Sequence, residues 1–266
     1  MKIQSLGLQS DLIFTRFSGL IEDRGDYVVV KTPDNPEYHW GNFLIFNQAP
    51  RQGSLKQWTD IFNTEFSYYT EAHHFVFAWD ITTSNSPEYQ EFLESHFELD
   101  STTVLTSQNL NPPPHINTDL KIRALYQDQD WEDALNLQIL CSDAKYQSDG
   151  FSNFKKKQMA NYRKMVDSKR GLWFGAFLEG KLVGDLGIFY EGNVARYQNV
   201  GTHPDFRRQG ICGTLVYQTG LMAFQEFKVT QLVMLADTDY HAARIYESIG
   251  FKPTESLQAL SWWKGS

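Results

Sequence analysis

One stretch limits the possible folds more than any other: Val200 to Gln225, which opens Val-Gly-Thr-His-Pro-Asp-Phe-Arg-Arg-Gln-Gly-Ile-Cys-Gly-Thr-Leu. It begins as a strand, turns at His203-Pro204, passes through a basic, glycine-containing loop and enters a helix. In that helix Ile211, Leu215, Leu221, Met222 and Phe224 recur at roughly helical spacing. A loop of this kind at a helix start suits an anion, because the first helical amides lack intrahelical partners and the helix dipole is positive there. Gly210 and Gly213 allow close backbone approach, and Arg207 and Arg208 add positive charge. The expected guest is a diphosphate or a similar group. No Lys-Ser/Thr pair follows the glycines, which excludes a P-loop. The order Gly-x-Gly-x-x-Gly after a first strand is missing too, which argues against a dinucleotide fingerprint. The plainer alternative is an ordinary strand-turn-helix with a basic start.

The 266 residues are enough for two ordinary domains, and 41% hydrophobic and 15% aromatic content allows a substantial core. No apolar run reaches the roughly 18 residues of a membrane span, and Met1 to Leu6 lacks a signal-peptide apolar region. Cys141 and Cys212 make no disulfide framework, so a reducing cytoplasm is the expected setting. The net charge of −8 argues against nucleic-acid binding. Residues 1–118 hold 6 Lys and Arg against 15 Asp and Glu, whereas residues 119–266 hold 18 against 17. An acidic front half beside the cleft would favour a cationic substrate; a merely solvated surface is the alternative.

In the front half, Leu12–Leu20 reads as short and mixed. Tyr27–Val30, Trp40–Phe46, His74–Trp79 and Thr102–Leu105 read as strands. Ser54–Phe66 reads as a helix capped by Ser54, and Ser86–Phe97 as a helix with Pro87 in its first turn. Three successive prolines in Asn109–His115 exclude helix and mark a stiff linker. The boundary is expected near residue 115, giving an acidic α/β domain over 1–115 and a second domain over 116–266. In the second domain Leu120–Leu125, Gly171–Phe177, Leu182–Tyr190, Val194–Thr202, Val229–Ala236 and Leu257–Trp263 read as strands. Helices are expected at Asp128–Leu140 and Phe151–Val166. The Lys155-Lys156-Lys157 run reads as a solvated face, with a ligand contact as the alternative.

Arg207-Arg208-Gln209-Gly210-Ile211-Cys212 resembles the Arg/Gln-x-x-Gly-x-Gly/Ala signature of the GNAT acetyltransferase superfamily, with Cys at its sixth position. Downstream, Asp239 to Phe251 resembles the second cofactor segment of that superfamily, Asn-x-x-Ala-x-x-x-Tyr-x-x-x-Gly-Phe. Ala242, Tyr246, Gly250 and Phe251 match, and Asp239 replaces Asn. The resemblance covers about residues 119–266. It implies an α/β (α+β) fold, a mixed and mostly antiparallel sheet flanked by helices. The front half has a similar element order, and its Arg51-Gln52-Gly53 echoes Arg208-Gln209-Gly210. It therefore reads as a degenerate copy, with Leu93 near the place of Tyr246; an unrelated α+β domain is the alternative.

The resemblance implies acetyl-CoA as cosubstrate. Its expected binding residues are Val200, Gly201, Thr202, Arg207, Arg208, Gln209, Gly210, Ile211, Cys212, Gly213, Thr214, Asp239, Ala243 and Tyr246. A primary amine of a small molecule or peptide would attack the thioester directly, with Tyr246 as the acid for the departing thiolate. The base is open among Asp185, Glu191, His203 and a water relay, and an amine that arrives neutral would need none. Cys212 reads as a small loop residue rather than a nucleophile. No metal is implied. The second reading is a non-catalytic acyl-CoA-binding sensor or interaction module.

Overall fold

The computed structural model describes residues 1–36, 38–68, 74–80, 87–142, 149–237 and 242–263. The chain forms two compact units, residues 1–104 with 255–266, and residues 105–254. No helix among the described residues is long and apolar enough to cross a membrane.

The first unit runs α1 (Leu6–Ser18), β1 (Leu20–Asp23), β2 (Tyr27–Lys31), β3 (Phe43–Phe46), α2 (Ser54–Glu65), β4 (His74–Trp79), α3 (Gln90–Glu94) and β5 (Glu98–Ser107). β1–β2 and β2–β3 are antiparallel, and β3–β4 is parallel. Its core is aromatic: Phe46 stacks on Trp58 at 3.9 Å, and Phe92 and Phe97 pack against Phe77. Each such ring contributes about 1.5–3 kcal/mol on leaving water.

Helix α1 is longer than the short mixed element expected at Leu12–Leu20. Its start is tied down by residues far away in sequence. The Glu255 carboxylate accepts from Ser5 Oγ at 2.7 Å, Leu6 N at 2.9 Å and Gly7 N at 3.1 Å. Asp80 Oδ1 accepts from Ser5 N at 2.9 Å. These bonds satisfy amides that have no partner within the helix. At α2 the cap is Gly53, in left-handed conformation at φ 86°, and not Ser54, whose Oγ accepts from Arg51 N at 2.9 Å. Helix α3 begins at Gln90, beyond Pro87, and Ser86 lies outside the described residues.

The second unit runs β6 (Lys121–Ala124), α4 (Asp128–Leu140), α5 (Asp149–Asp167), β7 (Gly171–Leu178), β8 (Lys181–Glu191), β9 (Val194–Thr202), α6 (Ile211–Met222), β10 (Gln231–Asp237), α7 (Ala242–Ser248) and the start of β11 (Lys252–Trp263). The strands from β6 to β9 pair antiparallel in sequence, and β9–β10 is parallel. The β7–β8 hairpin turns at Glu179 and Gly180, both at positive φ, as a two-residue hairpin turn requires. The Arg123 guanidinium, 2.6 Å from Asp130 Oδ1, holds the Asp130 carboxyl well below the usual carboxylate range; Asp130 also completes the capping box of α4.

After β6 and α4, the order helix, three strands, helix, strand, helix, strand is that of the first unit, with the same pairing senses. The architecture is thus a mixed, mostly antiparallel α/β fold with an internal repeat. The last strands do not stay with their own copies. Residues 259–263 of β11 pair antiparallel with β4, inside the first unit. Leu105 of β5 lies in the core of the second unit.

Candidate functional site

The site starts from a defect in β9. Its register against β8 shifts between the pairs Asp185↔Gly201 and Gly187↔Gln198, so β9 carries an extra residue there. The bulge sits at Asn199, whose φ is 50°, two residues before Gly201. On its other side β9 pairs with β10 only over Val194–Arg196. From Tyr197 onward no ladder pair joins the two strands among the described residues. The backbone of Val200–Thr202 therefore faces a gap.

A buried polar network holds this bulge. Gln138 of α4 donates through Nε2 to Asp185 Oδ1 and to Asn199 O, both at 2.8 Å. Trp173 Nε1 donates to Asp185 Oδ2 at 2.9 Å. A Cβ on Gly201 would lie 2.9 Å from Asp185 Oδ1, so only glycine admits that carboxylate here. Burial pushes the Asp185 carboxyl up to about 7, against the pull of its two hydrogen bonds. Burial also lowers the nearby Lys155 ammonium to about 8, and its Nζ lies 3.0 Å from Gln158 Oε1. Lys155 thus departs from the solvated face expected of its lysine run.

After β9 the chain makes a short 3-10 turn at Pro204–Phe206, capped by His203, whose Nδ1 accepts from Asp205 N. Arg208 (φ 63°) and Gly210 (φ 74°) both take left-handed conformation, and α6 starts at Ile211. Next to this loop is a cavity of about 720 Å³, wholly within the second unit. Val200, Gly201, Thr202, Arg207, Arg208, Gly210, Ile211, Cys212, Gly213 and Tyr246 all line it. Three other residues named from sequence do not: Gln209 accepts through its carbonyl from Asn117, Thr214 is buried and accepts from Asn117 N, and Ala243 packs against the core. Asp239 lies outside the described residues.

Tyr246 is 6% exposed and its hydroxyl contacts the Cys212 thiol. Burial pushes that thiol up to about 11, which leaves it protonated and poorly nucleophilic near neutrality. Among the candidate bases, His203 is engaged in the turn, and Glu191 pairs with Val194 at the far end of β8, about 20 Å along the strand from Asp185. Asp185 lies directly behind Gly201, but it is fully buried and is not among the residues that line the cavity. Two contributors were invisible in sequence. Cys141 lines the cavity, its Sγ lying 3.4 Å from Thr202 O, and Pro113–His115 lines it from the stretch read as a linker.

The first unit contains the same local geometry with a different content. Gly53 and Gly210 share the left-handed conformation before α2 and α6. The amides at the start of α2, however, meet carboxylates. Glu91 accepts from Leu55 N at 2.8 Å and from Gly53 N at 3.2 Å, and Glu88 accepts from Gln52 N at 3.2 Å. In both copies the last helical turn closes alike: Phe97 N bonds Phe92 O, and Phe251 N bonds Tyr246 O. Phe92, not Leu93, is therefore the counterpart of Tyr246, and it has no hydroxyl. In this frame Glu88 and Glu91 correspond to Ala242 and Ile245. Replacing Glu91 by Ala is expected to destabilise the first unit by about 1 kcal/mol, the usual cost of a lost helix cap. Urea unfolding of the variant measures this, and an unchanged midpoint would mean that water replaces the carboxylate at no cost.

A family profile described as an acetyltransferase (GNAT) domain matches residues 169–253. No curated protein matches the sequence. Among solved structures, a conserved protein of unknown function from Staphylococcus epidermidis superposes with a TM-score of 0.72 at 14% identity, over 91% of this chain and 93% of that one. A GCN5-related N-acetyltransferase from Kribbella flavida gives 0.66 at 13% identity, over 98% and 93%. A tandem GNAT protein from the clavulanic acid biosynthesis pathway gives 0.56 at 11% identity, over 97% and 88%. These likenesses show a shared fold, and the tandem protein fits a two-copy arrangement.

Proposed function

In a chain whose residues 169–253 form a GNAT acetyltransferase domain, we propose that the second unit transfers the acetyl group of acetyl-CoA to a primary amine of a small molecule or peptide. One observation carries this reading. The same cavity is bordered by an anion-suited loop with two arginines, by strand backbone at Val200–Thr202 that has no ladder partner on its β10 side among the described residues, and by Tyr246.

The residues present fit such a cosubstrate. The cavity volume suits a ligand of that size. The amides of the 208–214 turn, with Arg207 and Arg208, would hold a diphosphate, and the edge of β9 would pair with an extended amide-bearing arm. Acetyl-CoA supplies the activated thioester. The amine nitrogen attacks its carbonyl carbon while the carbon–sulfur bond breaks. An N–H of the bulged β9 segment faces the developing oxyanion. Tyr246 donates its phenolic proton to the departing sulfur, and the amine gives up its own proton. Of the candidate bases Asp185 stands beside Gly201, its Oδ1 2.9 Å from where a Cβ there would lie, and being buried it would take the proton through a water relay. The functional division proposed is a front domain to about residue 115 and a transferase domain from 116, set in a reducing cytoplasm.

Calorimetric titration of the whole chain with acetyl-CoA tests the reading, beside a Gly210→Glu variant. One site per chain is expected, because Glu88 and Glu91 already occupy the loop amides of the first unit. The variant should lose it: a side chain at φ 74° is strained, and a Cβ there would sit 2.6 Å from His115 Cδ2. Two sites would overturn the account of the first unit. Binding without acetyl transfer across a broad amine panel would favour the sensor module instead.

A further inference from the structure

The stretch 107–117, which contains the Asn109–His115 segment that sequence marks as a stiff linker, is docked along both helices of the cavity. Asn111 N donates to Ile249 O at 2.8 Å, just past the end of α7. Asn117 N donates to Thr214 Oγ1, and Asn117 Nδ2 to Gln209 O, both at 2.9 Å, at the start of α6. Between these anchors lie Pro112, Pro113 and Pro114, whose fixed φ leaves the backbone little freedom. The segment is a strap with both ends tied and a stiff middle.

The loop glycines are shaped to this strap. A Cβ on Gly213 would lie 3.2 Å from Pro113 Cβ. A Cβ on Gly210 would lie 2.6 Å from His115 Cδ2 and 2.7 Å from His115 O. Sequence suggests that both glycines make room for a ligand; in the structure the space beside each is taken by the strap. Pro113, Pro114 and His115 then face the cavity together with Arg207 and Arg208.

We propose that the strap is a wall of the ligand site and that His115 is a binding residue for the phosphates of the acyl-carrying ligand. This rests on the acetyl-CoA reading above. The imidazole stands at the mouth of the loop whose amides and arginines suit an anion, so its N–H can add one more donor to the same phosphate oxygens. Because the prolines and the two anchors already hold the strap, little ordering is lost when the ligand arrives. A hydrogen bond to a charged group in such a place is worth about a tenfold change in affinity.

The test uses the full chain with two ligands. Acetyl-CoA carries the phosphates, and S-acetylpantetheine carries the same thioester without a diphosphate. Wild type, His115→Ala and His115→Gln are compared by titration, with the weaker ligand followed by competition at millimolar concentration. His115 is exposed, so both variants should melt like wild type. The expected result is about a tenfold loss of acetyl-CoA affinity in His115→Ala, recovery in His115→Gln, and no change for S-acetylpantetheine in either. Unchanged acetyl-CoA affinity in His115→Ala overturns the inference and leaves the acetyl-CoA reading standing. Equal losses for both ligands overturn it too, since the strap would then act by shape alone. A wild-type chain that binds no acetyl-CoA overturns both.

Discussion

Tyr246→Phe lowers the turnover of acetyl transfer by about 10²- to 10³-fold, the usual scale of a lost general acid, and leaves acetyl-CoA affinity nearly unchanged. The residue sits on α7, lines the cavity, is 6% exposed, and its hydroxyl contacts the Cys212 thiol. The protein carries its own control for folding. In the first unit Phe92 takes the same place, closes the same backbone turn and is fully buried. A phenylalanine is therefore compatible with this packing, and the variant should melt within the range of a mild surface change, about ±0.5 kcal/mol. Steady-state kinetics with any accepted amine, beside a thermal melt, decide it. A loss smaller than about threefold would remove Tyr246 from proton transfer. A large loss of affinity would make it a binding residue instead.

The first unit should lose about 3 kcal/mol of stability as the pH falls from about 6.5 to about 4, through His74 alone. His74 is 2% exposed, its Nε2 lies 2.9 Å from Asn42 O, and Nδ1 has no partner among the described residues. The His39 ring stacks on it at 4.4 Å and opposes a second charge. Burial lowers its pKa from 6.5 to about 4. A histidine whose pKa is lower in the folded state takes up its proton more readily when unfolded. Its contribution is intact above about 6.5 and declines by about 1.4 kcal/mol per pH unit down to about 4, where it is lost. The depressed carboxyls, Glu65 in this unit and Asp130 in the second, act in the same sense, losing their contribution as the pH falls, but only below the ordinary carboxylate range and so under the His74 window. Urea midpoints at pH 7, 5.5 and 4.5 should fall for wild type and stay level for His74→Gln. Parallel slopes would place the acid sensitivity elsewhere.

Much of the second unit was legible from local chemistry. Helix Asp128–Leu140 and strand Val194–Thr202 stand where their patterns put them. The left-handed residue before α6 is a glycine because a side chain is disfavoured at φ 74°. Tyr246 lines the cavity from α7. The first unit was harder to read. Helix α1 has one local cap, Ser5 Oγ accepting from Leu8 N, but its Leu6 and Gly7 amides are held by Glu255, and Asp80 holds the amide of Ser5 itself. Helix α3 is five residues long, and its Glu91, with Glu88 just before it, turns its side chain to the start of α2.

What the sequence alone determined is the set of choices made within a few residues: where the backbone turns left-handed, which faces are apolar, where helices start, and which groups could transfer a proton. Tertiary structure decided the rest. It brought Asp185 behind Gly201 and laid Pro113–His115 against the anion loop. It closed the loop of the first copy with glutamates and placed the end of β11 in the first unit. The physical reason is range. Dihedral preference, capping and periodicity act between neighbours and leave a mark in the local pattern. Contacts made across a hundred residues are chosen by how the whole chain packs and satisfies its buried polar groups, and no short stretch records that choice.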